Sequence, residues 1–221
     1  MVLLFKLAVV AASALSVCSA AAPALDDYAV PAVDFAALSS SSAASRASLL
    51  RAMQTDGIVA LQNVPGYASL RTKYLAKAAS CAVTARENKA EFLLFRKLTD
   101  GTQRFTISTE SGRKLQESGK ETLEHCPGYS AVYHEFSQLV EDAVTGVGKA
   151  LDATKALQIQ TGSDEKLTAR ELMEDSVHLD HFHAYQAAEH LPRKLSSSKS
   201  DSQLSLEMHT DNGLLIAMTA P

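Results

Sequence analysis

The chain has 221 residues, of which 46% are hydrophobic and 21% charged, and its formal net charge is -4 at pH 7. This is the composition of a globular protein that can bury a sizeable core in one large domain or two small ones. Because the slightly acidic balance offers no basic stripe for phosphates, it argues against binding to nucleic acid.

Residues 1–21 have the pattern of a secretory signal peptide. Met1–Lys6 carries one cation, Leu7–Val17 is apolar, and small residues follow at Ser19–Ala22, which is the order of such a leader. The apolar run is shorter than the roughly 20 residues of a membrane span. The sequence therefore predicts a protein of the secretory pathway, secreted or in the ER lumen, with no membrane attachment after cleavage. A buried N-terminal helix, a lipoprotein anchored at Cys18, and a cytoplasmic protein with a misassigned start codon are the alternatives.

Removal of this leader leaves two cysteines, Cys81 and Cys126. In an oxidising compartment they can form one disulfide. Two separate thiols are the alternative, and the sequence leaves both possibilities open because the geometry of the pair decides. A thiol nucleophile formed by Cys126 and its neighbour His125 is disfavoured, since catalytic Cys and His are partners in space rather than in sequence.

Hydrophobic spacing and turn residues predict the elements that follow the leader. They are an entry strand with Val30, Val33 and Phe35, a helix from about Ser45 ending at Gly57, a strand over 58–64, a helix over 68–86, a strand over 104–109, a long helix over 128–153, a short helix over 168–174 and a strand over 176–186. A polar loop over 189–202 and a last strand carrying His209 and Asp211 complete the order. Helices that lead into strands indicate an α+β fold.

His209 and Asp211 are the first candidate site residues. In a strand, alternate side chains share a face, so the two can point to one spot. An imidazole and a carboxylate supply two of the three protein ligands of a 2-His-1-carboxylate iron(II) site. By spacing alone the pair is also compatible with an exposed strand histidine beside a turn aspartate.

A second group of histidines lies in the strand predicted over 176–186. His181, His183 and Tyr185 share one face there, and His178 and Asp180 share the other. Histidines two apart on a strand can bind zinc or copper. The alternative, which we favour from the residues alone, is that they line a polar barrel interior and hydrogen-bond there.

Three stretches of the sequence, two near the N-terminus and one near the C-terminus, resemble isopenicillin-N-synthase-like dioxygenases. Residues 30–35 (Val-Pro-Ala-Val-Asp-Phe) and 56–66 resemble the N-terminal region of that family, where an entry strand of the type Val-Pro-x-x-Asp precedes a helix and a second strand leads to an Asn-x-x-Gly-like turn. Residues 209–215 (His-Thr-Asp-Asn-Gly-Leu-Leu) are similar to its His-Thr-Asp-x-Gly-x-Leu iron motif. The stretches lie in the family's order.

The resemblance implies a helical N-terminal region over 28–160 and, over 167–221, the start of an incomplete double-stranded β-helix, or jelly roll. It implies Fe(II) held by His209 and Asp211, 2-oxoglutarate as cosubstrate, molecular oxygen, and hydroxylation or oxidation of a small organic substrate. The strand that ends at Gln186 is similar in position to the family strand that lines the cosubstrate pocket, so Tyr185 and His183 are expected to face 2-oxoglutarate.

In that family a distal histidine and an Arg-x-Ser follow the aspartate, whereas Pro221 comes first here. We therefore expect weak iron binding and no competent oxygenase from the chain as written, which is a fragment or a natural truncation. Two other functions are open: a secreted non-catalytic binding protein derived from the family, and a histidine-rich metal-binding protein that uses His181, His183 and His209.

Overall fold

The computed structural model describes residues 2–5, 28–40, 42–98, 101–111, 123, 125–156, 159–160, 166–186, 213 and 215–219. These ranges contain five helices and nine strands, so the fold is α+β. The chain forms two compact units: unit 1 is Met1–Val64, Gly146–Arg170 and Asn212–Pro221, and unit 2 is Pro65–Thr145 and Glu171–Asp211. In the described ranges no helix is both long and apolar enough to cross a membrane.

Unit 1 contains a four-stranded sheet. Its strands are β1 (Val2–Phe5), β2 (Ala32–Asp34), β3 (Ile58–Gln62) and β9 (Leu215–Met218), in the spatial order β2-β3-β1-β9. β2 and β3 are parallel, and β1 is antiparallel to both β3 and β9. Because parallel strands need a crossover, the chain between β2 and β3 forms two helices, α1 (Phe35–Ser39) and α2 (Ala43–Thr55).

Asp34 sets the start of the first helix in unit 1. Its Oδ1 accepts a hydrogen bond of 2.9 Å from the backbone N–H of Ala37, so it caps α1. The sequence places Phe35 in the entry strand, and this is wrong because the cap turns the chain into a helix at Phe35. The predicted end of α2 is confirmed: Gly57 follows it with a φ of 68°, in the left-handed region that favours glycine.

Unit 2 places a three-stranded antiparallel sheet beside two long helices and a short one. The helices are α3 (Tyr67–Glu87), α4 (Tyr129–Thr154) and α5 (Ala169–Asp175), and the sheet is β4 (Leu93–Lys97), β5 (Gln103–Ser111) and β8 (His178–Gln186), in the order β4-β5-β8. Two-residue strands β6 (Ile159–Gln160) and β7 (Lys166–Leu167), which belong to unit 1, pair with each other. The residues of α4 and α5 are divided between the two units.

An aromatic core fills the space between the sheet and the helices of unit 2. Tyr74 of α3 stacks on Phe136 of α4 with ring centroids 4.5 Å apart, and Phe182 of β8 meets Tyr74 edge-on. Ile107 of β5 is 1% exposed within the same cluster. The amphipathic stripe predicted for the long helix is therefore confirmed where it includes Phe136.

Cys81 and Cys126 form a disulfide. Their Cα atoms are 5.0 Å apart, and 45 residues separate them in sequence. Both side chains are buried in the core of unit 2. Of the two possibilities that the sequence leaves open, the structure therefore shows the bonded pair.

The predicted loop over 189–202 and the residues His209 and Asp211 lie outside the described residues. The strand that follows them, β9, begins at Leu215.

Candidate functional site

The two faces of β8 differ in character. Residues Asp180, Phe182 and Ala184 point toward the helices and are partly buried, whereas His181, His183 and Tyr185 are exposed. This alternation follows from the two-residue period of a strand. The predicted division of these residues between two faces is confirmed, and we call the exposed side, with the residues opposite on β5, the outer face.

Polar residues of β5 lie directly opposite the exposed residues of β8. Thr106 pairs with His183, Ser108 with His181, and Arg104 with Tyr185. Directly opposed residues of an antiparallel pair project from the same side of the sheet, within side-chain reach of each other. The outer face therefore combines two imidazoles, a phenol, two hydroxyls and a guanidinium.

The two imidazoles of the outer face are close together. The ring centroids of His181 and His183 are 5.4 Å apart, and those of His183 and Tyr185 are 6.2 Å apart. Thr106 Oγ1 lies 2.8 Å from His183 Nδ1, and the tautomer of the ring decides which of the two groups donates the hydrogen. This bond orients the His183 ring and leaves its Nε2 for another partner.

The surroundings of His183 lower its pKa. The main cause is partial burial, followed by electrostatic interactions with Arg104 and then with His181. The residue as a whole is exposed, but its Nδ1 edge lies against Thr106, which is only 5% exposed. The imidazole is therefore neutral at neutral pH and retains a lone pair on one ring nitrogen.

Arg104 has an unsatisfied hydrogen-bond donor. Its Nε is buried and has no hydrogen-bond partner among the described residues. A guanidinium pairs best with a planar, bidentate acceptor such as a carboxylate or a phosphate. The position of Arg104 opposite Tyr185 therefore suits an anionic group bound on the outer face.

The polar side chains on the inner side of β8 make hydrogen bonds within the protein. Asp180 Oδ2 accepts hydrogen bonds from Tyr133 (3.0 Å) and Ser137 (2.9 Å). His178 Nε2 lies 2.9 Å from the carbonyl oxygen of Met173, and this contact separates His178 from the other two histidines of the strand.

The structure brings His183 and Tyr185 together on the outer face, as predicted. His209 and Asp211 lie outside the described residues, so their role as iron ligands stays a prediction. In the described ranges there is no group of three or more His, Cys, Asp or Glu able to hold a metal ion. Sequence reasoning missed Arg104 and Thr106, although the polar residues alternate along β5 and mark one side of that strand as hydrophilic.

Comparisons of the chain with family models, with curated proteins and with solved structures gave no match.

Proposed function

We propose that this chain belongs to an Fe(II)- and 2-oxoglutarate-dependent oxygenase that hydroxylates or oxidises a small organic substrate. In this proposal the β4–β5–β8 sheet is part of a jelly roll, and its outer face lines the cosubstrate pocket. The observation that carries the proposal is the position of Arg104, with its unsatisfied Nε, opposite Tyr185 on the face that also carries His183.

The chemistry of the outer face fits a dicarboxylate. Because the Arg104 Nε is buried, the side chain has to turn toward the outer face in this proposal. A carboxylate of 2-oxoglutarate then accepts a charge-assisted hydrogen bond from the guanidinium, which is shorter and stronger than a neutral one. The Tyr185 hydroxyl and the neutral imidazole of His183 offer further polar contacts on the same face. Tyr185 and His183 are the two residues for which the family resemblance implies contact with the cosubstrate.

A contact between two N-terminal segments of unit 1 adds independent support to the proposed family membership. Asp34 of the Val-Pro-x-x-Asp stretch accepts a hydrogen bond from the Asn63 side chain, which begins the Asn-x-x-Gly turn. The two N-terminal stretches that resemble the family, residues 30–35 and 56–66, are therefore in contact, and parallel pairing of β2 with β3 holds them there. The Cys81–Cys126 disulfide supports the predicted secretory location, because disulfides persist in oxidising compartments.

In the proposed enzyme His209 and Asp211 hold the metal, and Arg104 and Tyr185 orient the oxoacid. Fe(II), when bound, supplies oxygen activation coupled to decarboxylation of the oxoacid. The protein's own task is then to fix the cosubstrate and to exclude water around the reacting atoms.

Anaerobic titration with Fe(II) and 2-oxoglutarate tests this function. At metal and cosubstrate concentrations high enough to overcome the weak iron binding expected of the chain as written, we expect the visible charge-transfer absorption of the Fe(II)–oxoacid chelate with the wild-type chain and its loss in Asp211→Ala. In Arg104→Gln we expect weaker binding of 2-oxoglutarate with Fe(II) binding unchanged, and Arg51→Gln, an exposed arginine of α2, is the matched control.

Two results would contradict the proposal. One is a wild-type chain that shows no chelate absorption at saturating metal and cosubstrate. The other is a coding sequence that continues past Pro221 without a further histidine and an Arg-x-Ser, since the iron site needs a third ligand and the oxoacid a second cation.

A further inference from the structure

We propose that His181 and His183 form a second metal site, a bis-imidazole site for Cu²⁺ or Zn²⁺ on the outer face of β8. Neither residue belongs to the predicted iron motif. Both are exposed, and both project from the same side of the sheet. The proposal goes beyond the oxygenase function and does not depend on it, although both use His183, which faces the cosubstrate in the proposed oxygenase.

The spacing of the two rings fits one shared ion. With a metal–nitrogen distance of about 2.1 Å, a bound ion lies about 3.2 Å from the centroid of each ligating ring. Two centroids 5.4 Å apart then subtend an angle of about 115° at the ion, close to the roughly 109° of a tetrahedral zinc site. The distance between the rings is therefore compatible with one shared ion once a nitrogen of each ring turns toward it.

Thr106 prepares His183 for this role. A ligating histidine usually hydrogen-bonds through its other ring nitrogen, which fixes the tautomer and the orientation of the ring. Thr106 Oγ1 lies 2.8 Å from His183 Nδ1, so the hydroxyl occupies that nitrogen and Nε2 is the one available to a metal. Thr106 is a positioning residue because it acts through His183.

The donor set selects the class of metal. Imidazole nitrogen suits Cu²⁺, Zn²⁺ and Ni²⁺, whereas Ca²⁺ and Mg²⁺ need carboxylate, carbonyl or water oxygens. The charge of Arg104 near His183 opposes a cation, but at an exposed face the effective dielectric is high and this repulsion is small. Waters complete the coordination of an ion held by two side chains.

Copper titration of the full chain tests the site. The protein is prepared without a polyhistidine tag, with its disulfide intact and with Cys18→Ser, so that neither a tag nor a third cysteine binds the metal. We expect electron paramagnetic resonance of bound Cu²⁺ to show two imidazole nitrogens. In His181→Ala or His183→Ala we expect one nitrogen and an affinity lower by roughly 100-fold or more, since the second ligand of a chelate acts at high effective concentration.

Matched variants separate this site from its surroundings. Thr106→Val should weaken Cu²⁺ binding by about 10-fold or more, and Thr106→Ser, which keeps the hydroxyl, should preserve it. His134→Ala, which removes a histidine of α4, should leave the spectrum and the affinity unchanged. Asp211→Ala should abolish the Fe(II)–oxoacid absorption and leave Cu²⁺ binding intact, so the two proposals can fail separately.

A measurement on the protein with all its histidines does not depend on whether the variants fold. Substoichiometric Cu²⁺ should broaden the imidazole resonances of His181 and His183 before those of the other histidines. Unchanged affinity in both alanine variants, or broadening of other histidines first, would overturn the site. Loss of Cu²⁺ binding in Asp211→Ala would also overturn it, because the histidines would then share the site of the iron motif.

Discussion

Among single residues, Gly146 is explained by its close packing against a residue that is far away in the sequence. A Cβ atom there would lie 2.8 Å from Cε2 and 3.1 Å from Cζ of the Phe35 ring. From sequence, glycine in a helix only weakens it, by about 1 kcal/mol relative to alanine. In the structure α4 continues through Gly146, and the absent side chain makes room for the aromatic ring.

We therefore expect Gly146→Ala to destabilise the protein by about 1–3 kcal/mol, because overpacking outweighs the gain in helix propensity. Urea unfolding followed by circular dichroism measures the change. The double variant Gly146→Ala/Phe35→Leu, with a smaller side chain opposite, should recover much of the loss. Stabilisation by Gly146→Ala alone would show that the ring moves aside at little cost.

Among the elements, helices and strands with strong hydrophobic periodicity are predicted well from sequence. Strands that form only by pairing with another strand are not. The long helix α4 and the strand β8 show their periods clearly, and the structure confirms both. Strand β4 was missed because most of it is exposed and lacks alternation, and it exists through pairing with β5. The sequence also does not indicate that Arg104 and Thr106 lie opposite Tyr185 and His183. That placement depends on the register of two strands that are far apart in the chain.

The disulfide links helix α3 to the segment just before α4. Closing a loop of 45 residues removes conformational entropy from the unfolded chain, worth about 4 kcal/mol in the chain-entropy model. We expect Cys81→Ser/Cys126→Ser to lose up to about that amount of stability in urea unfolding. Cys18→Ser is the matched control and should leave the unfolding midpoint unchanged. Equal stability of the double variant and the wild type would show that the reduced core holds without the bond.

For the whole molecule, the predicted leader has a measurable consequence. Val2–Phe5 lies between β3 and β9 in the sheet of unit 1, within the segment that the sequence assigns to a signal peptide. When the chain is expressed through a secretory pathway, we expect N-terminal sequencing to find a start after Ala20 or Ala21. Thiol titration of the unfolded, unreduced protein should then find no free thiol, because Cys18 is gone and the other two cysteines are bonded. A retained Met1 with one free thiol would contradict the leader and favour β1 as a permanent strand.

The stability of the whole protein should also respond to alkaline pH through three tyrosines of the unit 2 core. Tyr74, Tyr129 and Tyr133 are each at most 6% exposed, and desolvation is the main cause that raises the pKa of all three. The charge of Asp180, which accepts a hydrogen bond from Tyr133, raises them further. These hydroxyls therefore stay protonated in the folded protein at a pH where the unfolded chain ionises.

The sign of the effect follows from proton binding. Above the unfolded tyrosine pKa of about 10, the unfolded state binds fewer protons than the folded state, so the free energy of unfolding falls as pH rises. Each such tyrosine contributes a slope of about 1.4 kcal/mol per pH unit, and the stabilisation is fully present below about pH 10. Urea unfolding at several pH values between about 8 and 11, with tyrosinate absorbance as a second readout, measures it. Tyr74→Phe should reduce the slope. Equal slopes in the wild type and Tyr74→Phe would mean that Tyr74 ionises without unfolding.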